Sequence, residues 1–93
     1  MTTVEQKNNE IRGEFIASID GNKAGLMTYT WAGEDKIIID HTEVEAEYNG
    51  KGVGKDMVYK AVEFAREKNL KVIPLCPFAN ATFKKNADIQ DVL

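Results

Sequence analysis

Asn49-Gly50-Lys51-Gly52-Val53-Gly54-Lys55 is the stretch on which the reading of this 93-residue chain turns. A β-type run, Lys36 to Val44, precedes it, and a helix-type run, Val53 to Asn69, leaves it. Three glycines at alternate positions bare the backbone where the helix begins. A helix start carries N–H groups without intrahelical partners and a partial positive charge. With no side chains in the way, those groups can close on a phosphate. The competing reading is a tight turn that lets the helix start close to a sheet. Three alternating glycines exceed what a turn needs, since each costs about 0.5–1 kcal/mol of ordering entropy.

Upstream, Met1 to Asn9 is polar and without a period, which reads as a frayed lead-in. Glu10 to Asp20 alternates, with Phe15, Ala17 and Ile19 on one face and Glu14, Ile16 and Ser18 on the other. Asp20-Gly21-Asn22 is turn chemistry that tolerates positive φ. A second strand follows from Ala24 to Trp31, making a hairpin. After the turn at Ala32-Gly33-Glu34-Asp35, the run Ile37-Ile38-Ile39 suggests a strand buried on both faces.

Downstream, Val53, Met57, Val58, Ala61, Val62 and Ala65 form one apolar stripe at helical spacing. Asn69 suits a left-handed stop. Leu70 to Leu75 reads as a short buried strand that ends near Pro74, which has no N–H to donate. A second helix is expected from Phe78 to Lys85, with Pro77 near its first turn. Asn86 to Leu93 is too short to assign. The strand–helix–strand unit requires a right-handed parallel crossover. The fold class is therefore α+β, in one small domain spanning residues 1–93. It has a mixed sheet of four or five strands, an antiparallel meander plus one parallel pair, with one long and one short helix.

Hydrophobic residues make up 43% and charged residues 29%, values of a folded chain and not a disordered one. A net charge of -3 offers no basic face for nucleic acid. No apolar run approaches the roughly 20 residues of a membrane span. The lone cysteine, Cys76, allows neither an internal disulfide nor a cysteine-rich zinc site, so no metal site is expected. With no signal peptide in view, this points to a cytoplasmic setting.

Two nucleotide motifs fail on their residues. A P-loop needs glycine at position 49 and Ser or Thr at position 56, where the chain has Asn49 and Asp56. A dinucleotide fingerprint needs glycine at position 55, where the chain has Lys55, and it opens a doubly wound sheet instead of following a meander.

The stretch resembles the acetyl-CoA loop of the GNAT superfamily of N-acetyltransferases, Gln/Arg-x-x-Gly-x-Gly/Ala. Asn49 takes the first place, and Gly52 and Gly54 take the glycine places. His41-Thr42-Glu43-Val44 before the loop and Cys76-Pro77-Phe78 after the next strand look like the compact single-domain subgroup called Yjdj-type. The resemblance runs from Ile11 to Val92. It implies an acetyltransferase acting on an unidentified amine, small molecule or protein, in a monomer or weak homodimer. It also implies that the amides of Gly50, Lys51, Gly52, Val53, Gly54 and Lys55 hold the CoA pyrophosphate, with Lys51 or Lys55 adding charge. The backbone near Val44 would pair with the pantetheine arm. The chain departs from the pattern at Thr82, where a tyrosine general acid is expected, and at Asn86-Ala87, where His-Pro is common. The helices that larger members place between their first two strands are absent.

Four side chains carry the remaining chemistry. Cys76 is either a nucleophile that accepts the acetyl group or a small buried residue. The start of the Phe78 helix could lower its pKa. His41, the single histidine, is either a base for the amine or for Cys76, or a structural residue. Phe78 packs beside the thiol end of the cofactor or joins the core. Asn80 bonds the pantetheine or caps the second helix. The rival readings are a non-catalytic CoA-binding module and a structural adaptor whose glycines form only a turn.

Overall fold

The computed structural model describes residues 2–93. In chain order the elements are β1 (Thr2–Asn8), β2 (Arg12–Ile19), β3 (Asn22–Trp31), β4 (Lys36–Val44), a 3-10 turn (Ala46–Tyr48), α1 (Val53–Lys68), β5 (Lys71–Pro74), α2 (Pro77–Lys85) and a second 3-10 segment (Ala87–Val92). One five-stranded sheet runs β1-β2-β3-β4-β5. Its first four strands are antiparallel, and β5 lies parallel to β4. This is the α+β class with the expected meander and crossover.

The β2–β3 hairpin turns through Asp20 at φ 51° and Gly21 at φ 82°. Two consecutive positive φ values match the right-handed twist of the flanking strands. Phe15 and Ala17 face inward from β2, Met27 and Tyr29 from β3, and Ile37 and Ile39 from β4. Against them lies the apolar stripe of α1, where Val53, Met57, Val58, Ala61, Val62 and Ala65 are all buried. Asn69 ends the helix at φ 56°, and the Leu70 N–H returns to the Ala65 carbonyl at 2.8 Å.

Residues 2–8 are not a frayed lead-in. They pair along their whole length with β2, from Thr2 opposite Ile19 to Asn8 opposite Gly13. The inward side of β1 carries polar groups because it meets the polar tips of aromatic side chains. Gln6 Nε2 donates to the Tyr29 hydroxyl at 2.7 Å, and Trp31 Nε1 donates to Asn8 Oδ1 at 2.9 Å. The apolar alternation that marks a half-buried strand is therefore missing from this segment.

The isoleucine run of β4 also differs from expectation. Ile37 and Ile39 are buried, but Ile38 is only half-buried. Both helices lie on the inner face of the sheet, so among the described residues no helix covers the outer face around Ile38.

Candidate functional site

The loop between β4 and α1 holds Gly50 at φ 80° and Gly52 at φ 76°. A side chain would be strained at either position. Gly52 is the N-cap of α1 and supplies no side-chain hydrogen bond to it. The first helical bond runs from the Asp56 N–H to the Gly52 carbonyl at 2.9 Å. The N–H groups of Val53, Gly54 and Lys55 thus stand at the helix end without a capping side chain.

This end borders an open cleft of about 420 Å³, a size typical of small-ligand sites. Val44, Asn49, Gly50, Gly52, Val53, Gly54, Lys55 and Phe78, all singled out from the sequence, line it. Gly54 is needed for close approach, because a Cβ there would lie 2.4 Å from Cζ of Phe78. The Phe78 ring is 42% exposed and forms a wall of the cleft. Lys55 leans away from the loop, its Nζ 5.4 Å from the centre of the Tyr59 ring.

Two expected residues fall outside the cleft. Lys51 is exposed and does not line it. Asn80 neither lines the cleft nor caps α2, because its Nδ2 donates to the Pro74 carbonyl at 3.4 Å and braces the end of β5. Four further residues line it: Tyr48, Thr82, Lys85 and Asn86. The sequence does hold a signal for two of them, since Phe78, Thr82 and Lys85 stand at i, i+4 and i+7 on one face of α2.

The sheet splays beside this cleft. Strand β5 pairs with β4 only as far as Pro74 opposite Ile39. The last link is the Cys76 N–H to the Ile39 carbonyl, 3.1 Å. On its other edge β4 carries a bulge: Tyr29 faces Ile39 while Thr28 faces His41, leaving Asp40 as the extra residue.

The bulge reverses the alternation of β4. Ile37 and Ile39 point inward, and a regular strand would send His41 the same way. With Asp40 inserted, Thr42 points inward and His41 outward. Cys76 Sγ lies 3.4 Å from Thr42 Oγ1 and is buried, whereas His41 Nε2 is 2.9 Å from Glu43 Oε1 in the open. His41 is therefore not placed to serve Cys76 as a base, because the two lie on opposite faces of β4.

Cys76 is the N-cap of α2. Burial raises its pKa, but the Thr42 hydroxyl and the backbone N–H groups of Ala79, Phe78 and Thr42 outweigh that, and the thiol sits below its ordinary range. The thiol donates to Thr42 Oγ1; once it is ionised, the hydroxyl donates to the sulfur. Replacing Thr42 with valine removes a donor that favours the thiolate, so the pKa rises. The pH profile of Cys76 alkylation should shift toward higher pH in Thr42→Val, with the overall fold retained by circular dichroism.

The family model for GCN5-related N-acetyl-transferases matches residues 14–92. The chain belongs to the GCN5-related N-acetyltransferase family. It is 25% identical over 84 residues to protein NATD1 of Gallus gallus, covering 89% of this chain and 76% of that one. A GCN5-like protein from Staphylococcus aureus, solved by NMR, is similar at 39% identity and a TM-score of 0.72, covering 95% of this chain and 85% of that chain. An acetyltransferase fold from Bacillus anthracis solved with acetyl coenzyme A superposes with a TM-score of 0.65 at 21% identity. That match covers 84% of this chain but only 47% of the other, and it bears on the fold alone. Among the described residues, no helix is long and apolar enough to cross a membrane, and no three His, Cys, Asp or Glu side chains gather as metal ligands.

Proposed function

We propose that this GNAT-family chain binds acetyl-CoA and transfers the acetyl group to an amine. The uncapped start of α1 beside the glycine cleft carries this reading. There the amides of Val53, Gly54 and Lys55 take the pyrophosphate, and the positive end of a 16-residue helix favours it. Lys85, on the same cleft, adds positive charge. The edge of β4 beyond Ile39, which faces no strand on the β5 side, offers backbone groups near Val44 to the pantetheine arm.

Two routes lead to transfer. In the first, the amine attacks the thioester carbonyl directly, His41, held by Glu43, takes its proton, and the C–S bond breaks to release the CoA thiolate. In the second, the Cys76 thiolate attacks the carbonyl and the CoA thiolate departs. The amine then displaces the cysteine sulfur and yields its proton to solvent.

A non-catalytic CoA-binding module is the second reading, favoured by Thr82. Its hydroxyl donates to the Phe78 carbonyl at 3.0 Å and cannot stand in for a tyrosine acid. Incubation with isotope-labelled acetyl-CoA, followed by mass analysis of the peptide bearing Cys76, separates these readings. Label on Cys76 supports the covalent route, and label on an added amine alone supports direct attack. CoA binding without any transfer leaves the binding module.

A further inference from the structure

The glycine cleft is not the largest hollow on the molecule. A groove of about 520 Å³ crosses the outer face of the sheet, which no helix among the described residues covers. Thr28 and Thr30 form its floor, with Arg12 on β2 at one side and Asp40 on β4 at the other. Lys7 and Glu14 also border it, but they sit directly opposite each other across β1 and β2 with opposite charges. Among the described residues, neither Arg12 nor Asp40 belongs to an ion pair. Thr30 Oγ1 donates to Asp40 Oδ2 at 2.6 Å and fixes that carboxylate, which keeps capacity for further donors.

We infer that this groove holds the acceptor, and that the acceptor is a small amine that also bears a carboxylate, of the amino-acid class. The reading rests on the proposed acetyl transfer. Asp40 takes the ammonium and Arg12 takes the carboxylate, as a fork of guanidinium donors suits. The two residues stand on strands two steps apart and out of register, Arg12 in the row of Thr30 and Ile38 and Asp40 two residues further along β4, so their backbones are about 11–12 Å apart. Their side chains close part of that span, and a ligand with its charges several bonds apart bridges the rest. The polarity of the groove fits the reaction. Asp40 is the bulge residue beside His41, at the point where β4 and β5 part. The ammonium end therefore lies over the β3–β4 pair, on the strand that borders the splay, and the carboxylate end points away from the splay toward β2.

Calorimetric titration of the full chain with L-lysine and with cadaverine, which is lysine without its carboxylate, tests this. Lysine is expected to bind at least about tenfold more tightly than cadaverine. Arg12→Gln, an exposed substitution, should remove that preference without changing cadaverine affinity, and Asp40→Asn should weaken both ligands. Equal affinity for the two ligands, no lysine binding, or full lysine preference in Arg12→Gln overturns the inference. A parallel titration with acetyl-CoA keeps the two readings apart. Loss of acetyl-CoA binding in the wild type defeats the acetyltransferase reading, whereas failure of lysine selectivity with acetyl-CoA binding intact defeats only the acceptor assignment.

Discussion

Gly54→Val should abolish acetyl-CoA binding while leaving the chain folded. The new Cβ would lie 2.4 Å from Cζ and 2.6 Å from Cε2 of Phe78, so the ring must move. It can do so, because these atoms are the far end of a side chain that is 42% exposed. The overpacking should cost about 1–3 kcal/mol, which a small domain with about 5–15 kcal/mol of stability survives. The valine and the displaced ring then fill the cleft against the uncapped amides of α1. Affinity should fall at least about a hundredfold, or 2.7 kcal/mol, in a calorimetric titration. Gly21→Ala is the control. Its φ of 82° makes it a strained substitution, but the turn at Gly21 lies outside the cleft, so affinity for acetyl-CoA should be unchanged. Wild-type affinity in Gly54→Val would mean that acetyl-CoA does not bind in the glycine cleft.

Phe15→Ala should produce the largest loss of stability. Phe15 is fully buried in the middle of β2. Its ring centroid is 5.3 Å from that of Tyr29 and 6.4 Å from that of Phe64. Phe64 in turn meets Trp31 edge-on at 6.0 Å. This cluster fastens α1 to the sheet, so truncation opens a cavity between the two layers. Removing a buried phenylalanine costs about 3–5 kcal/mol. In a domain of this size each kcal/mol shifts Tm by about 4–8 °C, so a drop of at least about 12 °C is expected in thermal unfolding. Ile11→Ala, at a residue 71% exposed, should stay within about 0.5 kcal/mol of wild type in urea unfolding.

The parts of the fold that the sequence displays are those whose cause is local. The α1 stripe follows from the spacing between Val53 and Ala65, the hairpin from Asp20-Gly21, and the end of β5 from Pro74. Strand β1 is hidden because pairing with β2 secures it, and because, of its inward groups, Val4 packs on the core while Gln6 and Asn8 answer a phenol and an indole. The glycine loop is legible in the same local way, whereas Phe78, expected at the thiol end of the cofactor or in the core, instead stands part-exposed against Gly54 at the start of α1.

The relation between His41 and Cys76 is not. It depends on the extra residue at Asp40, which exists only relative to the register of β3. Counting by twos from Ile37 and Ile39 sends His41 inward, toward Cys76. The bulge sends Thr42 there instead, and it is Thr42 that meets the sulfur. The outer groove escapes the sequence for the same reason, because Arg12, Thr30 and Asp40 come together only across three paired strands.

The open N-terminus of α1 is proposed to receive the pyrophosphate of CoA. The most direct measurement follows the backbone amide resonances of Gly52, Val53, Gly54 and Lys55 in isotope-labelled protein as acetyl-CoA is added. Saturable shifts of these four amides are expected, fitting one ligand per chain and weakening as salt rises. Acetyl-CoA at millimolar concentration that leaves these amides unmoved would contradict that proposal.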